Sequence, residues 1–139
     1  MNDVISMETM SKEKCALLTK ATMALLDDWG LSAADIINVL GLPAKTRFRH
    51  LEHYRRDTPF PSDAQIMLRI EHLIGISDAL RTTYPLNSRI GLIWLRKPHR
   101  RLAHRTPLAA MIEDGLDGLR SVRAELDCSY SWECSTNRR

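Results

Sequence analysis

Two short stretches hold the side chains with chemistry to perform. In "AKTRFRH", Lys45, Thr46, Arg47, Arg49 and His50, followed by His53, supply hydrogen-bond donors and positive charge, with no acid before Glu52. In "WLRKPHRRLAHRTPL", from Trp94 to Leu108, five Arg or Lys residues (Arg96, Lys97, Arg100, Arg101 and Arg105) stand together without a single Asp or Glu. Guanidinium and ammonium groups form charge-assisted hydrogen bonds to phosphates and carboxylates. Like charges with no compensating acid repel one another, so both clusters point outward, to nucleic acid or to an acidic protein surface.

Bond-making chemistry has no comparable signature. There is no GxxxxGK[ST], no GxGxxG and no GxSxG turn, and "IEDGLDG" lacks the ligand ladder of a calcium loop. No nucleophile stands beside a plausible base, so the expectation is a binding protein, not an enzyme, with no cofactor. His50 and His53 lie one helical turn apart and His99 and His104 flank the second basic stretch. Without HExxH or a nearby cysteine they read as surface histidines, not metal ligands. Cys15, Cys128 and Cys134 form no CxxC pair and fit reduced thiols. The N-terminus lacks a basic region followed by a continuous apolar one, and no apolar run approaches spanning length. A cytoplasmic protein without a membrane partner is expected.

The elements that must position these clusters are helical. With 139 residues the chain is one domain by size, or two helical subdomains sharing a core, and 20 Lys+Arg against 17 Asp+Glu leave a net charge of only +3, so local clusters outweigh the total. Ser11 is placed to cap a helix carrying Leu18, Ala21, Leu25 and Trp29 at helical spacing and ending at Gly30. "LSAADIINVLG" opens with Ser32 as N-cap and Asp35 three residues on, closes at Gly41, and turns Ile36, Val39 and Leu40 inward. The next helix begins near Pro43, with Ala44, Phe48 and Leu51 on its inner stripe and the basic residues outside. Ser62 caps a long helix to Tyr84 whose Ile66, Ile70, Leu73, Ile74 and Leu80 make it the central packing element, with Gly75 marking close packing. "SRIGLIWLR" cannot continue regularly past Lys97 because of Pro98. Thr106-Pro107 restarts a helix through Leu108, Met111 and Ile112 to a break at Gly115, and Leu119, Val122 and Leu126 define the last one. No β-alternation of useful length occurs, so the fold class is all-α, a helical bundle.

A short helix, a glycine-containing turn and a second helix with an exposed basic face have the form of a helix-turn-helix, whose second helix enters the major groove, and equally of a plain helical hairpin with a solvated basic face. On the first reading Lys45, Thr46, Arg47, Arg49, His50 and His53 face DNA.

From Leu31 to Leu126 the chain resembles the antitoxins of the MbcA/ParS/Xre family. The resemblance rests on "GLPAKTRFRHL", on the Ile- and Leu-rich helix, and above all on Trp94-Leu95, Pro98, Leu102, Thr106-Pro107-Leu108, Gly115 and Val122 in the order and spacing of that family's toxin-binding segment. His99 stands where the family usually has Asn, and His104-Arg105 where it favours glycine. The resemblance implies the antitoxin of a type II toxin-antitoxin pair. Its helix-turn-helix would repress its own operon, and its second half would bind and occlude a RES-domain toxin that consumes NAD. The implied partners are that toxin and operator DNA, in a homo-oligomer or a hetero-oligomer with the toxin. Trp94, Leu95, Pro107 and Leu108 would scaffold a loop, with Arg96, Pro98, His99, Arg100, Arg101, Leu102 and Arg105 completing the toxin-binding set and the cations meeting an acidic rim. The expected organisation is a disordered N-terminus at 1–10, a DNA-binding region at 11–60, a central helix at 61–85, a toxin-binding region at 86–127 and a flexible tail at 128–139. The alternative is a stand-alone helix-turn-helix regulator whose second half dimerises.

Overall fold

The computed structural model describes residues 12–130, and among them every regular element is helical. The helices are α1 (Lys12–Asp28), α2 (Ala33–Leu40), α3 (Phe48–Arg56), α4 (Ala64–Thr83), α5 (Ser88–Leu95), α6 (Pro107–Asp114) and α7 (Leu116–Tyr130), with one 3-10 turn at Arg100–Leu102. The expected disordered N-terminus, the Ser11 cap and the tail beyond Tyr130 lie outside the described residues. The α7 backbone continues three residues past Asp127, where the tail was expected to begin. The all-α fold class holds. The residues divide into two compact units, one ending at Glu71 and one beginning at His72, so the expected central helix α4 is shared out between them.

In the first unit α1 buries Cys15, Thr19, Thr22, Met23 and Leu26, with Trp29 just beyond its end. This face differs from the expected stripe: Leu18 and Leu25 are only half-buried and Ala21 is exposed. The reason is that threonine can hide its polarity inside a helix. Thr19 Oγ1 donates to the Cys15 carbonyl and Thr22 Oγ1 to the Leu18 carbonyl, each at 2.8 Å. The Thr19 hydroxyl also accepts from the Phe60 backbone N–H at 3.0 Å, tying the segment after α3 to α1.

Helix α2 is bounded as expected. Ser32 Oγ accepts from the Asp35 N–H at 3.2 Å, Gly41 closes the helix in the left-handed region (φ 71°), and Ile36, Val39 and Leu40 are buried. The Arg69 guanidinium reaches the Asn38 and Val39 carbonyls at 3.4 Å, a cation at the negative end of the helix dipole. Helix α4 is capped by Asp63, not by Ser62: Asp63 Oδ1 accepts from the Gln65 N–H at 2.7 Å.

The second unit buries Leu73, Ile76 and Leu80 from α4, Trp94 and Leu95 from α5, Ala110 and Met111 from α6, and Leu119, Val122 and Leu126 from α7. Gly75 faces Arg123, whose Cζ would lie 2.4 Å from an added Cβ, in keeping with its expected close packing. Helices α6 and α7 are joined at Gly115 (φ 63°) and cross so closely that a Cβ on Gly118 would lie 2.0 Å from the Ala110 carbonyl oxygen. That approach is possible only for a residue without a side chain.

Candidate functional site

The first basic cluster sits at the start of α3, and its local structure departs from the expected one. The helix begins at Phe48, not near Pro43, so residues 41–47 separate it from α2, against the three or four residues of a common helix-turn-helix. Pro43 opens a turn that the Thr46 N–H closes onto the Pro43 carbonyl at 2.9 Å. Arg47 then takes an extended conformation (φ −107°, ψ 164°), which stops the turn from propagating as helix. His50 restarts it: its Nδ1 accepts from the Arg47 backbone N–H at 2.9 Å, leaving the ring proton to Nε2. His50 is therefore a helix cap before it is anything else.

Lys45, Arg47, Arg49, His50 and His53 are exposed and Thr46 is half-buried, so the structure brings the six expected residues to one end and face of a short element. Leu51 is buried, but Ala44 and Phe48 are not, and Phe48 is 64 % exposed. Delaying the helix start to residue 48 takes Phe48 off the inner stripe, which the sequence pattern did not reveal. Arg55 faces the other way. It grips Asp27 of α1 through Nε (2.9 Å) and Nη2 (2.8 Å) and Glu52 through Nη1 (2.6 Å). The hydrogen bond to Asp27 is the main reason its guanidinium is held more firmly protonated than usual. Arg55 fixes α3 on α1.

The second cluster follows α5. Asn87 Oδ1 caps that helix by accepting from the Arg89 N–H at 2.9 Å, and the helix stops at Leu95, as Pro98 requires. The chain then closes a small loop. The His99 N–H donates to the Arg105 carbonyl, and the His99 carbonyl accepts from the N–H groups of Leu102 and His104, all at 3.0 Å. Ala103 and His104 both take positive φ (59° and 63°), a conformation that residues with a side chain seldom adopt. Inside the loop the His99 ring lies 4.5 Å from the Trp94 indole, tilted by 44°, and its Nε2–H donates to the Trp94 carbonyl at 3.1 Å. Leu102 is buried beneath it. Thr106 Oγ1 then caps α6 from the Ala109 N–H at 3.1 Å, with Pro107 in the first turn and buried, and Leu108 half-buried.

Arg105 shows what the sequence could not. Its Nε donates to the Leu102 carbonyl at 3.0 Å, its Nη1 to Glu113 at 3.1 Å, and its Nη2 to Asp114 at 2.8 Å. The hydrogen bond to Asp114 leads in keeping Arg105 protonated, and Arg105 holds the Asp114 carboxyl below the usual carboxylate range. The acids that compensate this cation lie eight and nine residues away, at the far end of α6. Arg105 is thus a brace of the loop. Arg96, Lys97, Arg100 and Arg101 stay exposed, as does Pro98.

Beside the loop, Arg89, Leu92, Ile93, Arg96, Lys97 and Pro98 line an open groove of about 640 Å³. Ile90 and Ile93 of α5 are exposed (43 and 61 %), as is Leu86 just before the Asn87 cap (98 %). The spacing 90, 93 puts the two isoleucines on one side of α5, while Gly91, Trp94 and Leu95 are buried. The two isoleucines stand one turn apart in "IGLIWL", a spacing visible in the sequence.

Residues 87–128, which run from the Asn87 cap into α7, match the family model described as the Antitoxin Xre/MbcA/ParS C-terminal toxin-binding domain. The match supports assignment of the chain to the MbcA/ParS/Xre antitoxin family, with this segment similar to that family's C-terminal toxin-binding domain. The chain is also similar to "Uncharacterized protein y4oB" of Sinorhizobium fredii, 28 % identical over 108 residues that cover 78 % of this chain and 80 % of that protein. No helix among the described residues is long and apolar enough to cross a membrane.

Proposed function

We propose that this chain is the cytoplasmic antitoxin of a type II pair, that it neutralises a RES-domain, NAD-consuming toxin by covering it, and that it represses its own operon through α2 and α3. It works by occlusion and performs no chemistry of its own. The observation that carries the reading is the braced loop within the matched segment. Trp94, His99, Leu102 and Arg105 hold residues 99–105 in one shape, so Arg96, Lys97, Arg100 and Arg101 and the apolar groove beside them are presented together. A surface that is rigid before binding loses less entropy on association. Arg105 contributes as a brace, and the other cations supply the face for an acidic rim. On the DNA side, Lys45, Thr46, Arg47, Arg49 and His53 supply contacts to phosphates and base edges, with His50 holding the start of the helix.

Co-expression with the RES-type product of an adjacent gene tests function and partner together. The wild-type chain copurifies with it and restores growth. Lys97→Glu with Arg100→Glu abolishes rescue, because each reversal turns an attractive contact repulsive, while affinity for upstream DNA at fixed salt is kept. Retained rescue with lost DNA affinity would make the loop a second DNA clamp. The exposed Leu86, Ile90 and Ile93 favour one other reading, a regulator whose second half pairs with another copy. A stable dimer with no captured neighbour would select it.

A further inference from the structure

Phe48 is the one residue of the basic end of α3 that the charge pattern does not explain. It is the first residue of the helix, it is 64 % exposed, and its neighbours Lys45, Arg47 and Arg49 are exposed cations. Its backbone position is fixed from both sides, by the His50 cap at 2.9 Å and by Leu51 buried one turn on. A lone exposed apolar side chain is ordinary on a protein surface. A phenyl ring carried on a fixed stretch of backbone amid cations, at the end of the helix from which a recognition helix reaches base edges, is a contact of defined chemistry. The flanking cations suit phosphates and supply affinity without sequence information. In the major groove only thymine offers an apolar group, its C5 methyl, and Phe is among the side chains that match it.

We infer that Phe48 is a specificity-determining residue that reads a thymine methyl in duplex DNA. This rests on the DNA-binding role proposed for α3 and adds to it the base that is read. It also explains why a helix of nine residues exposes its largest apolar side chain and buries Leu51.

The test uses the full chain and a duplex of the DNA upstream of its coding region, amplified once with thymidine and once with deoxyuridine triphosphate, so that the second lacks every methyl. Affinities are measured at fixed salt against unrelated competitor DNA. Wild type binds the uracil duplex about fourfold more weakly for each methyl it contacts, the worth of one buried methyl-sized group. Phe48→Ala weakens binding to the thymine duplex by that factor and loses the distinction between the two. Phe48→Leu, still apolar, keeps part of it. Arg49→Ala weakens binding to both and preserves their ratio. A Phe48→Ala chain of unchanged helicity that keeps the wild-type ratio overturns the inference. So does one whose self-association changes while the ratio does not, which would assign Phe48 to a protein contact. If wild type prefers neither duplex to unrelated DNA, the DNA-binding role fails as well, a result distinct from the loss of methyl recognition alone.

Discussion

The two basic clusters solve the same problem in different ways. On α3 the presenting surface is a regular helix fixed by Leu51 below and by Arg55 on Asp27, and each outward cation stands by itself. After α5 no regular helix is available, and the loop must brace itself with backbone hydrogen bonds, a Trp94–His99 ring contact and the Arg105 guanidinium. In both places one arginine is a strut while its neighbours face outward. What separates them is the position of the acids: Asp27 for Arg55, Glu113 and Asp114 for Arg105. The consequence is a difference in failure. Removing an outward cation from α3 costs its own contact, whereas removing a tie from the loop disturbs every contact the loop makes.

The largest effect that can break this comparison lies under the loop. Gly118→Ala would drive a Cβ into the Ala110 carbonyl at 2.0 Å, and backbone cannot yield as a flexible side chain can. A loss of about 3 kcal/mol is expected, seen as a lowered thermal midpoint together with lost toxin neutralisation. An unchanged midpoint would mean that the α6–α7 crossing is not the rigid platform the loop needs.

Smaller, and confined to one function, is the effect on α3. Arg47→Ala and Arg49→Ala should each weaken binding to upstream DNA by ~1–3 kcal/mol with helicity and toxin neutralisation intact. Two substitutions whose effects simply add would support independent contacts. Strong coupling between them would show that α3, too, acts as a braced unit.

The smallest effect is in pH. Arg105 holds the folded Asp114 carboxyl below its ordinary value. Stability from the pair is therefore complete above the unfolded carboxylate pKa of about 4 and is lost as pH falls through the lower folded value. The difference in thermal midpoint between wild type and Asp114→Asn should stay constant from pH 8 to 5 and shrink only in the acid range, as the Asp114 carboxylate is protonated. A difference that is absent at neutral pH would show that the Arg105–Asp114 pair does not support the loop.

What could be read from the sequence was what depends on near neighbours. Ser32 and Gly41 around α2, Thr106-Pro107 before α6 and the break at Gly115 are cap and turn chemistry decided within four residues, and all appear where expected. Features that depend on distant partners did not show. The inner face of α1 was hidden because Thr19 and Thr22 bury hydroxyls on their own helix and so look polar in a pattern count. Arg105 read as an outward charge because its acids belong to the far end of α6. The start of α3 was misplaced because Pro43 is equally compatible with a first helical turn and with the β-turn it forms.

The hydroxyl of Thr19 carries a kinetic consequence. Most contacts in a helical unit join near neighbours and form early, but the bond from the Phe60 N–H joins residues 41 apart. Bringing those ends together needs closure of nearly the whole first unit, an entropic cost met before the bond returns anything. A contact of that separation is expected to form late, after the local helices. Such contacts set how slowly a protein opens, not how fast it folds. The segment leading out of α3 is tied to α1 by a latch expected to close last, and removing it with Thr19→Val should shorten the lifetime of the folded first unit more than it slows folding.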